Sequence, residues 1–207
     1  MASIVARAWA LVVPPFCWEC GDDARVGEPL CPGCRSALRW LGPEAVSLSW
    51  VEVWAPVAYE GPGRAVVHGL KYRGAVGLAE PMAAAICAGA PVLEGVLVPV
   101  PLHPRRRRQR GYNQAERLAA AMARRTGLGV ADCLVRGGPA GARQVGRGRA
   151  ERLAGPDIHA PGPVPPRAVL VDDVCTTGAT LAACAAALRA HGTRRIAAVV
   201  YARTPGR

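Results

Sequence analysis

Residues Val169 to Thr180 read VLVDDVCTTGAT. The alternating β-branched and apolar residues at the start have the pattern of a buried strand. Asp172 and Asp173 stand where that strand should end, and Thr176, Thr177 and Gly178 form a hydroxyl-rich turn before a helix that begins at Ala179. A strand, a tight turn and a helix N-terminus make a phosphate site. The N–H groups of the first helical turn have no partner inside the helix and point at the anion. Gly178 permits close backbone approach, and Thr176, Thr177 and Thr180 add hydroxyl donors. The adjacent carboxylates would repel phosphate and need a neutral polar partner. The vicinal hydroxyls of a ribose fit, with its 5-phosphate in the turn. The plainer reading is the strand, acid and turn of any open α/β sheet; acids and turn together favour the phosphorylated ribose.

This stretch resembles the 5-phosphoribosyl-1-diphosphate (PRPP) motif of type I phosphoribosyltransferases: an apolar run, two acids and a T-T/S-G-x-T turn. The resemblance implies that Asp172, Asp173, Val174, Cys175, Thr176, Thr177, Gly178, Ala179 and Thr180 bind PRPP. It also implies that Asp172 and Asp173 are the catalytic pair and that Mg²⁺ accompanies the diphosphate. The N–H groups of residues 176–180 are expected to converge on one cavity bordered by both acids, with the Pro101–Arg105 loop opposite. Asp173 is expected to face solvent, so that asparagine there would weaken ligand binding and leave the fold intact.

The chain of 207 residues has room for one α/β domain and a small appendage. Its apolar fraction of 51% is ample for a core. The net charge of +11 attracts polyanions, whether nucleic acid or a diphosphate ester. Lys71 is the only lysine among the 26 basic residues, and this arginine skew, with abundant Ala, Gly and Pro, weakens inference from basicity alone. The apolar run Ala8–Val13 is too short to span a bilayer and has no convincing cleavage site after it. Residues 4–13 therefore read as a short packed helix, with no membrane insertion and a cytoplasmic location expected.

Cys17, Cys20, Cys31 and Cys34 form two C-x2-C knuckles, CWEC and CPGC, separated by ten residues. That is the spacing of a tetrahedral thiolate Zn²⁺ site. Two disulfides or reduced structural thiols are the other readings, and disulfides are disfavoured in the cytosol. The knuckles hold too few apolar residues for a core of their own, so metal would supply their folding energy. Cys87, Cys133, Cys175 and Cys184 read as small core residues.

Leu41–Ser49 reads as a linker and Trp50–Tyr59 as a strand broken by Gly61-Pro62-Gly63. A helix is expected over Arg64–Tyr72, and another over Ala79–Gly89. Lys71, near the end of the first, is either a solvated charge favourable to the helix dipole or a functional group. Gly95–Val100 is a buried strand that runs into the proline turn Pro101-Leu102-His103-Pro104-Arg105. The run RRRRQR, Arg105 to Arg110, reads as a solvated basic face, a nucleic-acid patch or a diphosphate site. Asn113 is a fitting N-cap for a helix over Gln114–Thr126, with Glu116 at the capping-box position. Leu128–Arg136 holds a short strand, residues 137–155 a long Gly- and Arg-rich loop, and Pro156–Arg167 a connector. A helix over Ala179–Ala190 stops at Gly192, and Ile196–Tyr201 is a last strand. Alternating strands and helices predict a parallel sheet with the site at the carboxyl ends of its strands.

The knuckles, LKYRG, VPVPLHP…RGYNQA and the acid–turn stretch, in that order, resemble the ComF family over nearly the whole chain. The resemblance implies a type I phosphoribosyltransferase fold over residues 50–207 behind a zinc-ribbon-like head over residues 1–45. The family is associated with DNA uptake in natural transformation, alongside an ATP-dependent DNA translocase. Pro101, Leu102, His103 and Arg105 would then grip the diphosphate. Arg136, Gln144 and Arg152, with Glu151, would belong to a loop that closes over the substrate, although Gly155 stands where the family pattern has asparagine. Three readings follow. In the first, an enzyme transfers ribose 5-phosphate from PRPP to an acceptor. In the second, a single-stranded DNA-binding competence factor uses the fold as sensor or scaffold. In the third, an adaptor docks the translocase.

Overall fold

The computed structural model describes residues 16–48, 51–137 and 156–205. The helix expected over residues 4–13, and most of the 137–155 loop with Gln144 and Arg152, lie outside them. The main sheet contains β1 (Val46–Leu48), β2 (Val51–Trp54), β3 (Val57–Ala58), β4 (Val96–Pro99), β7 (Arg167–Cys175) and β8 (Arg195–Arg203). Its order is β1-β2-β8-β7-β4, with β3 added to β8 beyond β2. Every pairing is parallel except β1 with β2. Val130 forms a parallel bridge to Leu97 outside β4. The short β5 (Val135–Arg136) and β6 (Ile158–His159) pair antiparallel in a separate ribbon.

Helices cover both faces. On one, α2 (Gly61–Tyr72), α3 (Ala79–Gly89) and α5 (Gln114–Thr126) bury Val66, Leu70, Met82, Ile86, Leu118 and Met122 against Val169, Val171, Val199 and Tyr201. On the other, α6 (Ala179–Ala190) buries Leu181, Cys184 and Leu188 against Ala168, Leu170, Ala198 and Val200. Alternate residues of β7 therefore enter two different cores, which is why its run Ala168–Val171 is apolar without interruption.

The knuckles are not a separate layer. Cys17, Leu30 and Cys31 lie in the same buried cluster as Trp54, Val57 and Leu70. The short helix α1 (Pro32–Ser36) starts at Cys31, whose sulfur accepts from the Cys34 N–H at 3.4 Å.

Several expectations need correction. The Leu41–Ser49 linker contains β1. The single strand over Trp50–Tyr59 is two, parted at Ala55-Pro56, because proline has no N–H for a ladder. Gly61-Pro62-Gly63 starts α2 rather than merely breaking a strand: proline suits the first helical turn. The arginine run is helix α4 (Pro104–Arg110), opened by His103 Nδ1 accepting the Arg105 N–H at 3.2 Å and closed by left-handed Gly111. Arg105 thus belongs to a helix rather than a loop. Most of Leu128–Arg136 is irregular, and the Pro156–Arg167 connector contains β6. The helices α3, α5 and α6 begin and end at the residues expected.

At Gly63, α2 passes so close to β3 that a Cβ would lie 2.5 Å from the Ala58 carbonyl oxygen. A backbone oxygen cannot swing aside. Gly63→Ala is expected to cost about 2 kcal/mol, lowering Tm by about 4–8 °C in a protein of this size; differential scanning calorimetry checks it.

Candidate functional site

The parallel strands β4, β7 and β8 end on one edge. Val100 N–H donates to Val171 O at 2.9 Å, Thr204 N–H to Cys175 O at 3.0 Å, and Tyr59 N–H to Arg203 O at 2.7 Å. The segments at 59–61, 101–103 and 176–178 therefore leave the sheet side by side. β7 runs through both acids to Cys175, so the acids sit inside the strand rather than at its end.

The expectation for Asp173 is overturned. It is 3% exposed, not solvent-facing, and its Oδ1 lies 3.0 Å from Nζ of Lys71 at the end of α2. Lys71 is the chain's single lysine, and its side chain is only 15% exposed, so it is not a freely solvated charge. Asp173 Oδ2 is buried and has no hydrogen-bond partner. Buried carboxylate oxygens are ordinarily paired, so this one has acceptor capacity to spare.

Asp172, the neighbour along the strand, is directed to the opposite face by strand alternation. Its Oδ1 accepts the Asp173 N–H at 2.8 Å. Burial of the carboxyl, and then the charge of Asp173, push its pKa well above the usual carboxylate range, although Lys71 and the Asp173 N–H pull the other way. Two adjacent acids share one lysine, so ionising both is unfavourable.

Beyond the acids, Val174 is half-buried and Cys175 buried, its thiol pushed up to about 11 by burial and by Asp172. Thr176, Thr177 and Ala179 are exposed, and Thr180 is partly so. Gly178 adopts φ +78° as the cap of α6, a left-handed conformation that glycine reaches without a Cβ penalty. The Ala179 N–H donates to Thr177 Oγ1 at 3.4 Å. Pro101 is buried beside β7, while Leu102 and His103 are partly exposed. Arg105 is exposed on α4. Arg136 lies on β5, where its charge reaches Cys184 of α6.

Asn113 is the N-cap expected, but three features at this edge went unread in the sequence: its second hydrogen bond, a tyrosine contact and a buried arginine nitrogen. Asn113 caps α5 through Oδ1, which accepts the Ala115 N–H at 3.1 Å, and its Nδ2 also donates to Val100 O at 2.9 Å, tying α5 to the loop after β4. The Tyr112 hydroxyl donates to the Leu70 carbonyl, fixing α4–α5 against α2 beside Lys71. Arg203 Nε, at the end of β8, is a second buried polar atom without a partner. Glu116 serves less as a capping-box acid than as the partner of Arg107, which grips it at 2.5 and 3.2 Å.

The knuckles bring Cys17, Cys20, Cys31 and Cys34 together. Their sulfurs all lie within 4.8 Å of one another, with Cys20 and Cys31 at 3.7 Å. Metal–sulfur bonds of about 2.3 Å put tetrahedral ligands about 3.8 Å apart, so this cluster can hold a metal ion. Burial raises the Cys17 thiol, but the N–H groups of Cys20, Cys31 and Glu19 outweigh it and bring it down to about 6.

No family model matches the chain, and no curated protein matches it. No helix among the described residues is long and apolar enough to cross a membrane.

Removing one partner of a buried ion pair leaves an uncompensated charge. Lys71→Met and Asp173→Asn are each expected to cost about 3 kcal/mol. The double variant is expected to cost much less than their sum, as read by urea denaturation. Additive costs would show that the two side chains do not interact.

Proposed function

We propose that the chain binds the phosphorylated ribose of PRPP at the carboxyl edge of its sheet, as a phosphoribosyltransferase-like protein of the ComF type. The observation that carries this reading is Asp173 Oδ2, a buried carboxylate oxygen without a donor, next to Asp172 and shortly before the T-T-G turn. A ribose hydroxyl is a donor of the kind it lacks. The 5-phosphate would be received by the first-turn N–H groups of α6, favoured by the helix dipole and by threonine hydroxyls.

Two carboxylates, one with spare lone pairs, are hard oxygen donors of the sort Mg²⁺ takes, directly or through its waters. Asp173 Oδ2 would hold the ribose side, directly or through a water of the ion, with Asp172 acting through its charge from the other face of β7, and the ion would offset charge on the diphosphate. The bond from C1 to the diphosphate oxygen breaks with its electron pair leaving on the diphosphate. An acceptor nitrogen attacks the oxocarbenium-like C1 with its lone pair and then loses a proton. The chain's own part is electrostatic: the acids meet the developing positive charge on the sugar, and arginines meet the leaving group. The ComF resemblance ties this ligand to DNA uptake, with a DNA translocase as partner.

For the knuckles, four thiols at tetrahedral spacing suit zinc in a closed structural site. Elemental analysis of purified protein is expected to give one zinc per chain. Stripping it with a chelator should lower Tm and make the four thiols reactive to Ellman's reagent. A zinc content near zero, with unchanged thiol reactivity, would show a metal-free cluster.

Because the folded pKa of Asp172 is raised, the folded state holds more protons than the unfolded chain, and stability falls as pH rises from the ordinary carboxylate range upward. Asp172→Asn should therefore raise Tm at neutral pH, with the gain fading toward pH 4 and below. The same variant should bind PRPP or ribose 5-phosphate with Mg²⁺ about ten- to a hundredfold more weakly. Isothermal titration calorimetry reads the second effect. Wild-type protein that binds neither ligand overturns the reading.

A further inference from the structure

A concavity lies outside the acid–turn site. It has a volume of about 380 Å³ and is lined by Lys71 and Tyr72 of α2, Arg106, Gln109 and Arg110 of α4, and Tyr112. None of the residues from Asp172 to Thr180 lines it. Arg106, Gln109 and Arg110 stand at i, i+3 and i+4, so α4 presents them on one face. That face looks onto the end of α2.

The cavity's charge is uncompensated. No acid lines it. Lys71 is paired with Asp173, but neither Arg106 nor Arg110 forms an ion pair among the described residues, whereas their neighbour Arg107 is engaged by Glu116. Two guanidiniums left without a carboxylate, in a concave wall, make a seat for a phosphate.

The cavity is also aromatic and larger than a phosphate needs. The Arg110 guanidinium lies 4.9 Å from the Tyr72 ring centroid, a cation–π contact. His68 meets the same ring at 5.3 Å, nearly perpendicular, and is itself within 3.3 Å of the Tyr59 hydroxyl. These contacts orient the ring, yet Tyr72 remains 66% exposed. An oriented, exposed ring beside two guanidiniums is a platform for a planar group carrying an anion. Gln109 adds an amide that can donate and accept toward that group.

We propose that this cavity binds a nucleotide unit, with its phosphate on Arg106 and Arg110 and its base on Tyr72. The unit is either a free nucleotide or one residue of a single strand; both present the same chemistry. The site is independent of the PRPP reading, since the two share only Lys71, which reaches Asp173 from the cavity wall.

The test uses the full chain. Binding of a short 5′-labelled oligothymidylate is followed by fluorescence anisotropy, with unlabelled dTMP and inorganic phosphate as competitors. The oligonucleotide is expected to bind. Tyr72→Ala should weaken it by about fivefold or more, and Tyr72→Phe should keep it near wild type. Arg106→Ala/Arg110→Ala should reduce the slope of log affinity against log salt by about 1.4. Both positions are at the surface, and circular dichroism checks that the fold is kept. Displacement by dTMP at concentrations where inorganic phosphate has no effect assigns the site to free nucleotides. Weakening in the variants without displacement by dTMP assigns it to a strand. Absence of binding, unchanged affinity in both variants, or phosphate competing as well as dTMP overturns the proposal. Titrating Tyr72→Ala with PRPP separates the sites: an unchanged PRPP response leaves that reading untouched whatever the oligonucleotide shows.

Discussion

β7 is held on all four sides. Parallel ladders to β4 and β8 fix it within the sheet, and alternate side chains enter two cores, Val169 and Val171 toward α2, α3 and α5, Ala168 and Leu170 toward α6. A slip of one residue would exchange these sets and carry Asp173 to the wrong face. The acids therefore inherit their positions from the core. Lys71 meets Asp173 from α2, whose own place is set by Val66, Val67 and Leu70 and by the close approach at Gly63. The ion pair joins two rigid elements, and neither charge was free to be placed by a loop.

The cysteine cluster acts on the same framework. The knuckles have little apolar material, yet they do not stand apart from the main core. The Trp18 ring lies so near Gly69 that a Cβ there would come within 2.7 Å of it, and Arg73 sits over the same ring at 5.8 Å. Gly69 on α2 and Arg73, which caps it, flank Lys71. Ordering of the knuckles by metal thus bears directly on the helix that supplies the lysine. A separate folding unit would have left α2 bare along this side.

The legible parts of the sequence were those with local signals. Asn113 before and Gly127 after Gln114–Thr126 bracket α5, and the small apolar stripe of Ala179–Ala190 marks α6. The sheet's parallel character followed from alternation of strands and helices. What escaped were signals that mean different things in different company. Gly61-Pro62-Gly63 breaks one element and starts the next, and an arginine run hid the short helix α4, whose stop is Gly111. The pairing of Lys71 with Asp173 depends on tertiary folding, and no spacing records it. The burial of Asp173 escaped for a related reason: β7 continues to Cys175, so a residue judged to end the strand is still inside it.

The charges at the end of β7 can be weighed against one another. Lys71 can neutralise one carboxylate, and its contact is with Asp173. Asp172 gains only a backbone N–H and part of that same field, while burial and its neighbour oppose its ionisation. For folding alone an uncharged residue at position 172 would be preferable, since it could accept the Asp173 N–H without the cost of the charge. The spare acceptor on Asp173 has the same character: an oxygen that the fold buries and does not satisfy. Two departures from the rules of stable packing, adjacent in sequence and at the carboxyl edge of a parallel sheet, are what a site built for an incoming donor or cation requires. Such a ligand would complete Asp173 Oδ2 and favour the ionised form of Asp172. Binding and proton release from Asp172 are then one linked event, and affinity rises with pH over the range in which the ligand-free carboxyl still holds its proton.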